Sequence, residues 1–251
     1  MLPPFPFDRR YWSANVPALV GAGFRAVTVD YPGFGAGETP PAELSIAGIA
    51  AAIAALLDRL HIEKATLLGL SMGGYVAFAF AASFADRLRA LVLADTRAAA
   101  DTPAARQGRA QALETIASRG ADAYLDQSLP RLLAPDAPPA LLAAVRALAE
   151  ERAPVLTAGI AALRDRPDRA AEAERITCPT LLLAGERDQI VPPAELRALA
   201  ERMPAARFVE LPGAGHLANL EARDAFDGQV IDFLRALPCF AAPRPASGDQ
   251  P

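Results

Sequence analysis

The chain is poor in the residues on which much of protein chemistry depends. Among 251 residues it has two cysteines, two histidines, one tryptophan and, within 25 basic side chains, a single lysine, Lys64. The cysteines, Cys178 and Cys239, are too far apart for a metal-thiolate spacing and too few for a disulfide framework, so reduced thiols and a cytoplasmic setting are expected. His61 and His216 stand alone, with no His-x-x-x-His pair, and no metal is expected. Nor is a cofactor. Gly33-Phe34-Gly35-Ala36-Gly37 runs into Glu38-Thr39-Pro40-Pro41 rather than a helix, and the glycines at 69, 73 and 74 are not followed by the Lys of a phosphate loop. The arginines are scattered and the net charge is -4, which leaves no basic footprint for nucleic acid or an anionic membrane surface. The longest apolar run, 46–57, is well short of the roughly 20 residues that span a bilayer. The first seven residues carry three prolines and no basic side chain, so they do not read as a signal peptide.

What the chain does have is alternation. Short runs at 24–30, 65–69, 90–95, 180–184 and 207–211 are apolar on both faces, as strands buried in a parallel sheet are. Helical patterns lie between them: a helix capped by Ser45 and ending near Leu60, then 72–85, 193–202 and 222–237. This predicts an α/β fold with a doubly wound, mainly parallel sheet. Residues 1–101 and 176–238 supply that core. Residues 102–175 hold no strand-like run, only Ala-, Leu- and Arg-rich segments broken by six prolines, and are expected to form an inserted helical cap. The tail, 239–251, has the composition of a disordered segment.

Gly69-Leu70-Ser71-Met72-Gly73-Gly74 sits directly between a predicted strand and a predicted helix. In that setting G-x-S-x-G marks a nucleophile elbow, a turn so tight that side chains two residues either side of the serine would collide. It lifts Ser71 to a helix N-terminus, where the Met72 N–H can donate to an oxyanion. A serine hydroxyl needs a base. His216 follows the last predicted strand and so falls on the same sheet edge as Ser71, whereas His61 leads into a strand from the opposite end and reads as a surface residue. The carboxylate that orients the imidazole is assigned to Asp188, after the neighbouring strand, with Asp95 as the other candidate.

With these residues in place the chain resembles the α/β-hydrolase fold family, whose order is nucleophile, acid, histidine. Asp30-Tyr31-Pro32-Gly33-Phe34-Gly35 looks like the loop after that family's fourth strand, and residues 69–74, 185–193 and 213–221 like its elbow, acid loop and histidine loop. The Ser-Met-Gly-Gly elbow, the modest cap and Ala94-Asp95-Thr96-Arg97 look most like 3-oxoadipate enol-lactonase-like esterases and lactonases. The resemblance implies hydrolysis of a small-molecule ester or lactone through an acyl-enzyme on Ser71, with the Met72 and Phe5 amides as oxyanion donors. Phe34 and Tyr124 are candidate substrate contacts, although core packing is the simpler reading of both. An acyltransferase or perhydrolase using the same three residues stays open, as does a non-catalytic ligand-binding relative. One departure stands out: Pro3-Pro4 occupies the place of the family's His-Gly, and the stretch matching its third strand, which pairs between those corresponding to 24–30 and 65–68, does not precede it. A late start site or a genuine truncation is expected, with a sheet that closes up over the gap or an impaired fold.

Overall fold

The computed structural model describes residues 1–35 and 40–238; the predicted disordered tail lies outside the described residues. After a 3-10 turn at Arg9–Ala14 come α1 (Val16–Gly21) and α2 (Ile46–Arg59). The core then alternates through β1 (Ala65–Leu70), α3 (Met72–Ser83) and β2 (Leu88–Ala94). A helical excursion follows, made of α4 (Pro103–Ser128), α5 (Pro139–Leu148), α6 (Ala153–Arg164) and the single turn α7 (Ala170–Ala173). The chain returns through β3 (Thr180–Gly185), α8 (Pro193–Ala200) and β4 (Ala206–Leu211), and ends with α9 (Ala218–Glu221) and α10 (Arg223–Ala236).

The four strands form one parallel sheet in sequential order, β1-β2-β3-β4. Its register is continuous to the C-terminal edge, where Leu70 faces Ala94 and Gly185 faces Leu211. The reason is in the side chains. All six residues of β3 are buried, and so are the last four of β1, so these strands are stable only with cover on both faces. α3 lacks an exposed face over its first ten residues and is packed on all sides. α2 begins where Ser45 caps it, its Oγ accepting from Gly48 N at 3.0 Å, and packs against α3, while α1 packs against α10.

The excursion is tied to the core at its root. The buried Arg166, beyond α6, donates to Asp101, before α4, at 2.6 Å, and to Leu163 O at 2.7 Å and Ala99 O at 3.1 Å. Its guanidinium lies 4.1 Å over the Tyr75 ring of α3. A buried charge of this kind is tolerated because its two terminal nitrogens are engaged and its counter-charge is adjacent, although its buried Nε has no partner among the described residues.

One predicted strand does not join the sheet. Residues 25–30 belong to no strand of the sheet. The sheet has not closed up either. Leu2 alone stands beside β1, in a parallel bridge to Gly69, with Leu2 N donating to Leu68 O at 2.7 Å and Leu70 N donating to Leu2 O at 3.4 Å. On its other side, the Met1 amine donates to Val27 O at 2.7 Å. Burial lowers the pKa of that amine from 8.0 to about 5. A base with a depressed folded pKa binds fewer protons in the native state, so stability rises with pH between about 5 and 8 and is penalised most below 5. A fall in Tm is expected from pH 8 to pH 5, up to about 4 kcal/mol in stability. Comparison with the Nα-acetylated chain checks it, since acetylation should remove that part of the pH dependence.

Candidate active site

At the C-terminal end of β1 the backbone turns sharply into α3, and the turning residue is Ser71, with φ 51° and ψ -112°. For a residue with a side chain this region is strained by about 1–3 kcal/mol, and it persists only where surrounding contacts over-determine it. They do so here. Ser71 N donates to Ala94 O of β2 at 2.9 Å. The Ser71 carbonyl accepts from Thr96 Oγ1 at 2.8 Å and from Gly74 N at 2.9 Å. The two flanking glycines are required by space: a Cβ on Gly69 would overlap the Gly73 carbonyl, and one on Gly73 would overlap the carbonyl of Leu2. Both obstacles are backbone, which cannot rotate aside. Gly73→Ala is therefore expected to cost about 1–3 kcal/mol in chemical denaturation by forcing the Leu2 segment off β1.

The loop after β4 carries His216, buried to 1% exposure. Its Nε2 lies 2.8 Å from Ser71 Oγ and its Nδ1 lies 2.7 Å from Asp188 Oδ2. The other Asp188 oxygen accepts from Ile190 N at 2.7 Å and Val191 N at 3.0 Å. With Oδ1 occupied by two backbone donors, Oδ2 is the acceptor left for an Nδ1–H. That fixes the tautomer in which the Nε2 lone pair faces the serine hydroxyl. Sequential strand order makes this possible, since the loops after β1, β3 and β4 open on one edge.

Asp95 ends β2 and is fully buried. Its Oδ1 accepts from Gly185 N at 2.7 Å, so it ties β2 to β3 and makes no bond to His216. Burial first, and the negative charge of Asp188 second, push its pKa well above the usual carboxylate value. His61 is exposed in the turn after α2 and takes no part in the site.

Two backbone amides are the candidate donors to an oxyanion. Met72 N–H opens α3, and Phe5 N–H lies in the loop that follows Leu2; neither donates to a protein acceptor. The loop is held at Pro3, whose carbonyl accepts from Tyr31 Oη at 2.8 Å. The Phe5 ring meets Phe34 edge-on at 6.3 Å and Tyr124 of α4 at 6.5 Å. Gly159 of α6 lies directly against the Phe5 and Phe34 rings. Phe34, at 1% exposure, also packs edge-on against Tyr31. Phe5, Phe34 and Tyr124 thus form one aromatic wall under the helical excursion, with the Phe34 ring buried as core.

Sequence reasoning missed the supports of the histidine loop. Glu221 accepts from Gly215 N at 3.0 Å and from Ala134 N at 2.7 Å, joining that loop to the segment before α5; burial raises its pKa. Asn219 Nδ2 donates to Asn15 Oδ1 at 2.9 Å, and Asn15 Nδ2 to Asp227 at 2.8 Å. Nothing local marks Asn15 as a partner of residues some 200 positions away. Among the described residues no group of His, Cys, Asp and Glu could hold a metal ion, and no helix is long and apolar enough to cross a membrane.

Comparison with known proteins agrees with this architecture. A family model described as alpha/beta hydrolase fold matches residues 2–223. The solved structure of a thermophilic esterase from Thermogutta terrifontis is 34% identical, with a TM-score of 0.87 over 93% of this chain and 87% of that one. An enol-lactonase structure from Burkholderia xenovorans LB400 is 33% identical, with a TM-score of 0.82 over 91% and 87%. In sequence, 3-oxoadipate enol-lactonase 2 of Acinetobacter baylyi is 29% identical over 208 residues, 81% of this chain and 76% of that protein.

Proposed function

Because this chain belongs to the α/β-hydrolase fold family, we propose that it hydrolyses a small carboxylic ester or lactone, with Ser71 as nucleophile, His216 as general base and Asp188 as the carboxylate that orients it. The observation that carries this reading is the 2.8 Å contact from His216 Nε2 to Ser71 Oγ, backed by the 2.7 Å contact from Nδ1 to Asp188. As Ser71 Oγ adds to the carbonyl carbon, its proton passes to Nε2 and the imidazolium is stabilised by Asp188. Negative charge develops on the former carbonyl oxygen, where the Met72 N–H, at the positive end of α3, and the Phe5 N–H are the candidate donors. Collapse expels the alkoxide, which takes the proton from His216. In a lactone the alkoxide stays tethered to the acyl group. Water, activated by the same imidazole, then releases the acid and restores Ser71.

The aromatic wall of Phe5, Phe34 and Tyr124 supports an apolar contact for the substrate beside the reacting carbonyl. The likeness to structures described as an esterase and an enol-lactonase supports the choice of ester and lactone over other carbonyl substrates. The test is a fluorophosphonate probe followed by peptide mapping, with p-nitrophenyl acetate and a panel of simple lactones as substrates. Stoichiometric labelling at Ser71 together with turnover is expected. A chain that unfolds cooperatively yet neither labels nor turns over any of them would sink the reading.

A further inference from the structure

The residues on either side of His216, and those on either side of Asp188, all attach to one short piece of the helical excursion, 132–136, between α4 and α5. Before His216, Gly215 N donates to Glu221 Oε1 at 3.0 Å, and the other oxygen of that carboxylate accepts from Ala134 N at 2.7 Å. After it, Leu217 N donates directly to Leu132 O at 3.1 Å. Around Asp188, Arg187 Nη1 donates to Asp136 Oδ1 at 2.5 Å and Gln189 Nε2 donates to Leu133 O at 3.4 Å. The histidine loop and this segment meet backbone to backbone, since a Cβ on Gly215 would overlap Ala134 N and the Leu133 carbonyl carbon. The segment is itself anchored: Leu133 and Ala134 are buried, and so is Leu129 in the 3-10 turn that leads into it. The Arg187–Asp136 pair is exposed and adds little, so the weight falls on the half-buried Glu221.

We propose that Glu221 is a positioning residue for the base of the reaction: by bridging Gly215 to Ala134 it locks the loop that carries His216 onto segment 132–136, which also holds the flanks of Asp188. It acts through the backbone of the loop and neither gives nor takes a proton. The single turn α9 cannot fix the loop by itself, because so short a helix is not stable alone. The side chain of its last residue folds back over the loop and supplies the missing constraint. A carboxylate suits this task, since both of its oxygens accept. Glutamine would not, because its one accepting oxygen can serve Gly215 N or Ala134 N while its NH2 is left facing the other N–H. The effect on rate is large because an imidazole displaced by about 1 Å from its hydroxyl can lose about 100-fold. The helical excursion thus sets where the base stands, besides lending Tyr124 to the aromatic wall. The inference rests on the hydrolytic reading for the role of His216.

The test begins on the chain as it is. Amide exchange at Ala134, Gly215 and Leu217 is expected to show protection equal to within about threefold, because the bridged segments open together. Protection at Ala134 without protection at Gly215 would overturn the bridge. Glu221→Gln is then compared with the parent on p-nitrophenyl acetate, where kcat is expected to fall by about 10- to 100-fold while KM stays within about threefold. Isotope-labelled histidine supplies the second readout. With two histidines in the chain and His61 exposed, the Nδ1 proton of His216 can be followed by NMR, and its resonance is expected to shift or broaden in the variant. A lower Tm with kcat and that resonance unchanged would overturn the proposal and leave Glu221 as a support of the fold alone. If Glu221→Gln does not fold, exchange in the parent decides. A parent that shows equal protection and the Nδ1 resonance yet turns over no ester would overturn the hydrolytic reading and not the bridge.

Discussion

Ser71→Ala lowers kcat/KM for p-nitrophenyl acetate by roughly ten-thousand-fold or more and abolishes fluorophosphonate labelling. The size follows from what remains. With Oγ gone there is no atom on which an acyl-enzyme can form, while the proposed Met72 and Phe5 amide donors are left in place. The variant should fold, because Ser71 N and O keep their bonds to Ala94, Thr96 and Gly74. Ser71→Gly makes a sharper companion. At φ 51° a glycine relieves strain that alanine retains, so the glycine variant is expected to be equally inactive yet more stable than the alanine variant by about 1 kcal/mol. Turnover above a hundredth of the parent level in Ser71→Ala, with the protein free of contaminating esterase, would remove Ser71 from its role.

Asp188→Asn is expected to cost nearly as much, about ten-thousand-fold in kcat, for a different reason. The Oδ1 position is fixed as an acceptor by Ile190 N and Val191 N, so the asparagine oxygen must stay there and its NH2 must face His216 Nδ1. Nδ1 then accepts, the ring proton moves to Nε2, and the imidazole presents a donor to a hydroxyl that needs an acceptor. Substrate binding should change little, so the loss appears in kcat rather than KM. Asp95→Asn is the control. Asp95 makes no bond to His216, and an amide oxygen in the place of its Oδ1 can accept from Gly185 N in the same way, so activity should stay within about tenfold of the parent. The reverse pattern, with Asp95→Asn inactive and Asp188→Asn active, would transfer the acid role to Asp95.

Sequence reading succeeded where a feature is written in adjacent residues. The elbow is legible because Gly69 answers a collision with Gly73 only four residues on, whereas the obstacle that holds Gly73 to glycine is Leu2, far away in the sequence. The buried strands β1 to β3 are legible because two apolar faces leave few alternatives to a covered parallel sheet, and β4, read the same way, is buried only at Leu211. Reading stopped where a feature depends on a distant partner. Residues 24–30 have strand composition, yet whether they pair is decided by what lies between them and β1. Of the two outcomes expected for the gap, a sheet that closes up or an impaired fold, the first is not seen: a cavity lined by residues of α2 and α10 separates 25–29 from β1. Glu221 and the Asn15–Asn219–Asp227 set were invisible for the same reason: a polar residue in a loop declares its partner only once the chain is folded. Phe34 was legible as core, but its meeting with Phe5 and Tyr124 depends on where α4 and α6 cross the top of the sheet.

The sequential order of the sheet also sets a timetable for biosynthesis. As the chain leaves the ribosome, β2 emerges to find β1 already made, β3 finds β2, and β4 finds β3, so no strand waits for a neighbour translated after a later one. The contacts that seat the histidine loop are the exception. Asn219 and Asp227 reach back to Asn15, across more than 200 residues, and they emerge only after all four strands. The sheet can therefore be largely assembled while His216 is still unplaced, and its contacts with Ser71 and Asp188 are made on a scaffold already in position.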